Sequence, residues 1–305
     1  EIGLLLERWE QSKEGDGQVI LLSGEAGIGK SRVTDALREC VVGDVLVQLR
    51  YQCSPYHRNS ALHPVIEHLE RALLFDSGDT SEIKLDKLEA LLSERASDVG
   101  KVAALFASLL SIPSKKHYPL AEISPERQKD QTLEALVTQV EGLSRRYPVL
   151  FIFEDAHWAD PTSLELLELM ISRVQAVPVL VVITYRSEFS PPWTGFNHLT
   201  TLTLNRFTRS LAVALVEKVA GGKPLPDEVL AQIIERTDGV PVFVEELTKT
   251  ILESGQLTEE IDRYVAPGPL QDMTIPATLH DSLMARLDRL GTVKDVAQTA
   301  STIGR

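Results

Sequence analysis

Cysteine is scarce in this chain of 305 residues: Cys40 and Cys53 are the only two. Nothing in their spacing suggests a metal site, and two such thiols are read as reduced residues of a cytoplasmic protein. Long apolar runs are missing too. None approaches the roughly 20 residues that a membrane helix needs, and the longest, at 177–185, is of strand length and contains Pro178. No secretory-signal pattern opens the sequence. Positive charge is in deficit, with 31 Lys and Arg against 44 Asp and Glu, a net charge of −13 and a pI of about 5.1. That balance argues against this segment being a nucleic-acid-binding surface, while leaving room for a separate DNA-binding module. What is present is ordinary: 43% hydrophobic and 25% charged residues, in a length that suits two domains with separate cores.

The most specific stretch is Gly24-Glu25-Ala26-Gly27-Ile28-Gly29-Lys30-Ser31, which satisfies the G-x-x-x-x-G-K-[ST] phosphate-loop pattern at every fixed position. It lies between an apolar run, Val19-Ile20-Leu21-Leu22, and a helix-like one that begins with Arg32. Glycines let the backbone wrap closely around a polyphosphate with its N–H groups inward, at a helix N-terminus that favours anions. Lys30 is expected to reach the β- and γ-phosphates and the Ser31 hydroxyl to ligate Mg²⁺. Gly24 through Arg32 is therefore the candidate site for ATP or ADP.

Short apolar patterns predict five strands, at 18–23, 45–50, 149–154, 179–185 and 200–204. Helical periodicity fills 30–41, 62–75, 83–95, 99–110, 125–147 and 162–174, so βαβ units and a parallel sheet are expected. The segment 111–125, with three prolines, reads as an exposed loop. After residue 204 the strand signal almost vanishes. Helices are expected at 211–220, 226–236 and 241–254, then a loose hairpin within 256–269 and helical stretches at 278–290 and 293–302. The chain opens inside an amphipathic helix (Leu4, Leu5, Leu6, Trp9) and stops inside a helical pattern, so it reads as a segment of something longer.

A phosphate loop needs a carboxylate at the end of a neighbouring strand, to hold Mg²⁺ and to orient water. Glu154 and Asp155 end the third strand. The usual order is Asp for the metal, then Glu as base; here it is reversed. Position favours Glu154 nearer the metal and Asp155 nearer the water, although the two can exchange roles or slow turnover. His157 is open to a direct role on water or the γ-phosphate and equally to a structural one. Asp160-Pro161 reads as a helix start. Arg186, at the tip of the fourth strand, is placed to sense the γ-phosphate. In Gly239-Val240-Pro241, glycine suits a helix end and proline a helix start.

Together these motifs resemble the signal-transduction ATPases with numerous domains (STAND), a branch of the AAA+ superfamily, over nearly the whole chain. The matching segments are Gly24–Ser31, the run Phe151 to Trp158, Thr184-Tyr185-Arg186 and Gly239-Val240-Pro241. The resemblance implies a P-loop NTPase three-layer sandwich with a five-stranded parallel sheet in the order 5-1-4-3-2. A helical subdomain whose Pro241 packs against adenine would follow, then the start of a winged-helix domain. The implied domains are 1–205, 206–270 and 271–305. More narrowly, Cys53-Ser54-Pro55-Tyr56-His57-Arg58-Asn59-Ser60 and residues 237–250 resemble bacterial proteins that join an adenylate/guanylate cyclase domain, such an ATPase and tetratricopeptide (TPR) repeats. Large LuxR-type transcription regulators carry a similar module. The expected function is a slow ATPase switch with catalytic residues Glu154, Asp155, Lys30 and Arg186 and metal ligands Ser31, Glu154 and Asp155. Its expected partners are an attached cyclase or DNA-binding output domain, TPR-type repeats and copies of itself, with no membrane. A nucleotide-holding scaffold that does not hydrolyse is the second reading, and a small-molecule kinase, disfavoured by the helical subdomain, the third.

Overall fold

In the computed structural model, which describes residues 1–76, 78–93, 99–114, 118 and 123–266, one sheet is built from five parallel strands. They are β1 (Gln18–Ser23), β2 (Val47–Gln52), β3 (Val149–Glu154), β4 (Val179–Tyr185) and β5 (Leu199–Thr203), in the spatial order β2-β3-β4-β1-β5. β1, β3 and β4 are buried from end to end. Burial on both faces is why these three read as unbroken apolar runs, as parallel strands covered by helices do. The edge strands β2 and β5 are only partly buried.

Helices cover both faces, and alternate strand residues serve opposite cores. Ile20, Leu150, Ile152, Leu180 and Val182 pack on Leu5 and Trp9 of α1 (Ile2–Lys13) and Leu37 of α2 (Lys30–Cys40). Val19, Leu21, Phe151, Phe153, Val181 and Ile183 face the other way. Their core is completed by α3 (His63–Ala72), α4 (Ser81–Ser93), α5 (Val99–Leu109), α6 (Pro125–Ser144) and α7 (Pro161–Arg173). Among the described residues four α-helices, α3 to α6, thus separate β2 from β3. α7 begins as expected: the Asp160 carboxylate accepts from the Ser163 amide at 3.0 Å, with Pro161 in the first turn.

β2 starts later than the sequence pattern suggests. Asp44 closes a turn onto the Val41 carbonyl and accepts from Trp9 Nε1 at 2.8 Å, so Val45 leaves that turn exposed. Within the expected exposed loop at 111–125, Ile112 and Ser114 are buried, because Ile112 joins the large core. Residues 115–117 and 119–122 lie outside the described residues, as do the helices expected at 278–290 and 293–302.

The chain separates into two compact units, one of Glu1–Gly24 and Lys30–Thr203, the other of Glu25–Gly29 and the chain from Leu204. The second unit holds α8 (Arg209–Val219), α9 (Asp227–Thr237), α10 (Pro241–Glu253) and a hairpin of β6 (Thr258–Glu259) and β7 (Tyr264–Val265). Its own core includes Val216, Val229, Ile233, Val244, Leu247 and Ile251. Asp238, rather than Gly239 alone, turns the chain at the end of α9: both are left-handed, at φ 48° and 70°. Among the described residues no helix is long and apolar enough to cross a membrane.

Candidate functional site

The glycine-rich loop carries the chain from β1 into α2, and two of its glycines are conformationally required. Gly27 and Gly29 have φ of 76° and 106°, where a side chain is strained. Gly27 is also crowded within the second unit: an added Cβ would lie 3.3 Å from Cβ of Val242, whose amide donates to the Gly27 carbonyl at 3.2 Å. Pro241 precedes Val242 and occupies the first turn of α10. Glu25, at the loop's second position, pairs with Arg206 at 2.7 Å, and Arg206 also binds Asp238. Glu25, Ala26, Ser31 and Arg32 are exposed, whereas Ile28 is buried.

Lys30 opens α2 with a buried side chain whose ammonium donates to the Gly24 carbonyl at 2.8 Å. Burial lowers its pKa; Asp155 and Glu188 act to raise it and Arg186 to lower it further. Loop, third strand and fourth strand thus bring Lys30, Asp155 and Arg186 into one electrostatic neighbourhood.

The two acids after β3 point into different surroundings. Glu154 continues the alternation of Leu150 and Ile152 towards α2 and is 1% exposed. Its carboxylate accepts from Thr34 Oγ1 at 3.1 Å and from Arg50 Nε at 2.6 Å. Asp155 sits in the left-handed region at φ 58°, its amide bonded to Thr184 Oγ1 at 3.0 Å and its side chain 24% exposed. Burial raises the Asp155 pKa above the usual carboxylate range; Glu154 adds to this, while Lys30 and Arg186 oppose it. Arg186 follows β4 with its guanidinium 5.0 Å from the Trp158 ring.

His157 lies beside this group, its Nδ1 4.0 Å from Asp155 Oδ1. Both ring nitrogens are buried without a hydrogen-bond partner among the described residues. Burial, then the cations Arg186, Lys30 and Arg58, push its pKa down to about 4, so the ring is neutral near pH 7. Sequence reasoning missed Arg50, Thr34 and Glu188. The polar alternation Gln48, Arg50, Gln52 along β2 was the available sign of Arg50, but it names no partner.

Among the described residues no group of three or more His, Cys, Asp or Glu gathers as a metal-binding cluster. Mg²⁺ asks for less: one or two carboxylates, phosphate oxygens and retained waters. An exposed Ser31 and a part-exposed Asp155 are hard oxygen donors that fit it.

A parallel sheet in this order, with a glycine-rich loop from β1 to a buried lysine and paired acids ending β3, defines a P-loop NTPase fold. Residues 1–182 match the AAA ATPase domain, and the chain belongs to that family. It is 28% identical over 309 residues to an uncharacterized protein of Rhizobium meliloti (strain 1021), covering all of this chain and 29% of that one. The chain therefore spans under a third of that relative's length. Among solved structures it is similar to a STAND protein with a tetratricopeptide repeat sensor from Pyrococcus horikoshii (13% identity, 83% of this chain and 30% of that one, TM-score 0.44). The RuvB Holliday junction branch migration motor of Thermotoga maritima is another (16%, 93% and 66%, TM-score 0.41).

Proposed function

We propose that this chain binds ATP and hydrolyses it slowly to ADP and phosphate, as the switch of a larger regulatory protein. The observation that carries the reading is the convergence of Lys30, Asp155 and Arg186 within one unit, next to a phosphate-loop sequence. Lys30 would exchange its bond to the Gly24 carbonyl for the β- and γ-phosphate oxygens, with the loop amides around them. Ser31 and Asp155 would hold Mg²⁺, which neutralises phosphate charge when bound; Glu154 belongs to the same acidic pair. Asp155 would orient a water whose oxygen bonds to the γ-phosphorus while its proton passes to a γ-phosphate oxygen. The bond from that phosphorus to the bridging oxygen breaks, and ADP leaves. Arg186 would stabilise the charge that develops. His157, neutral and adjacent, supports orientation of Asp155 and the water. Pro241 is proposed as an adenine contact.

In this reading residues 1–205 form the nucleotide-binding domain, 206–270 a helical subdomain and 271–305 the start of a winged-helix domain. The larger protein would carry a nucleotide cyclase and TPR-type repeats, a proposal that rests on the segments at 53–60 and 237–250; a LuxR-type regulator is the alternative. Nucleotide-dependent self-association and a cytoplasmic location, where ATP is supplied and thiols such as Cys40 and Cys53 stay reduced, belong to the same reading. Lys30→Ala should abolish binding of radiolabelled ATP, and normal affinity in that variant overturns the assignment. Asp155→Asn should keep binding while single-turnover hydrolysis falls about a hundredfold or more. Binding without any hydrolysis by the unmodified chain would favour the scaffold reading, which the engagement of Glu154 by Arg50 supports.

A further inference from the structure

Arg50 has no part in the mechanism above, yet it makes the tightest side-chain contact to an acid of the site. It stands on edge strand β2, next to β3, on the same face as Glu154. Two guanidinium nitrogens, Nε and Nη2, each lie 2.6 Å from Glu154 Oε2, and Thr34 Oγ1, whose one proton is shared with the Ser31 carbonyl at 2.9 Å, lies 3.1 Å from Oε1. Both oxygens of a carboxylate only 1% exposed are thereby engaged. Arg50 is itself held from α2: its Nη1 reaches Asp35 at 3.4 Å, and Asp35 is shared with Arg38 at 3.0 Å.

Position along α2 gives this pairing its meaning. Ser31 stands in the first turn of the helix, and Thr34 one turn further in. The carboxylate is thus anchored one helical turn past Ser31, by Thr34 on α2 and by Arg50 on β2. Breaking such a pair would leave a buried charge without its counter-ion, which is strongly disfavoured. Asp155, by contrast, lies past the end of β3, beside Thr184 and His157 and within electrostatic range of Lys30 and Arg186.

We infer that Arg50 is a positioning residue: it holds Glu154 against Thr34 on α2, and so leaves the phosphate-facing work to Asp155. The inference rests on the nucleotide reading above. It assigns the reversed acid order a physical consequence, since the first acid is retained by the protein and the second faces the ligand.

The test is ATP binding at graded MgCl₂, measured with radiolabelled ATP, with circular dichroism and thermal melting as fold controls. The proteins are the unmodified chain, Arg50→Met, Arg50→Lys, Glu154→Gln and the Arg50→Met/Glu154→Gln double variant. Releasing Glu154 should lower the MgCl₂ needed for half-maximal binding by about five- to tenfold in Arg50→Met, the size expected for directly paired groups, with binding in EDTA held within about twofold. Arg50→Lys, still able to pair, should keep the unmodified Mg²⁺ dependence. In the Glu154→Gln background, Arg50→Met should add nothing.

A Mg²⁺ dependence that Arg50→Met does not move, or moves equally in the Glu154→Gln background, overturns the inference while ATP binding stands. Absence of ATP binding by the unmodified chain overturns the nucleotide reading and this inference with it. If Arg50→Met does not fold, the double variant, which leaves no buried carboxylate unpaired, is compared with Glu154→Gln alone. Any difference between them in Mg²⁺ dependence overturns the inference.

Discussion

Lys30 and Glu154 are both buried ions, and the protein compensates them differently. Glu154 has a cation and a hydroxyl on its two oxygens. The Lys30 ammonium donates to the Gly24 carbonyl while burial lowers its pKa, so an incoming anion would favour its charged form. A second residue-scale feature lies away from the loop. The imidazoles of His57 and His63 stack with centroids 3.6 Å apart and planes at 6°. Burial, then His57, lower the His63 pKa, against Glu67, Glu70 and Asp160, which act to raise it. The unfolded chain therefore binds this proton more readily than the folded one. The associated stability is fully present above the ordinary histidine pKa of about 6.5 and is lost as pH falls below it. Replacing His63→Phe should flatten that acid-side loss in urea unfolding; an unchanged slope would refute the assignment.

Among elements, α7 shows most clearly how a local signal becomes a tertiary one. The Asp160-Pro161 helix start is legible because N-capping is a property of adjacent residues. The same carboxylate, 3% exposed, also accepts from the Leu62 amide at 3.2 Å, across 98 positions of sequence. Leu62 sits at φ 56° and leads directly into α3, so Asp160 ties two helix starts together. Asp160→Ala should cost about 2 kcal/mol, a lost cap plus a buried amide left unpaired, measured by urea denaturation. Strands were legible in proportion to their burial. β1, β3 and β4 follow the apolar runs residue for residue because both faces are covered, whereas β2 is displaced at an edge where Gln48 and Arg50 interrupt the pattern.

For the whole molecule, the proposed ligand should act as a stabiliser by mass action. At ATP concentrations about a hundredfold above its dissociation constant, with Mg²⁺ present, the folded state should gain about 2.7 kcal/mol. Calorimetry should show this as a higher melting temperature for the unmodified chain and none for Lys30→Ala. A shift of equal size in that variant would place the nucleotide elsewhere. The parallel sheet explains how so few residues can build such a site. All five strands end on the same side, so the loop after β1, the acids after β3 and Arg186 after β4 are delivered together from positions far apart in the chain.

By itself the sequence determined the phosphate loop, the alternation of strands and helices, and the acids and arginine at strand ends. Each of these is written in neighbouring residues through backbone conformation, burial period or side-chain type. Only the tertiary structure decided what Glu154 pairs with. Its partners, Thr34 and Arg50, lie 120 and 104 positions away and meet it because β2 is laid beside β3 and α2 covers their shared face. Asp155, next in the chain but left-handed and past the end of β3, meets Thr184 and His157 instead.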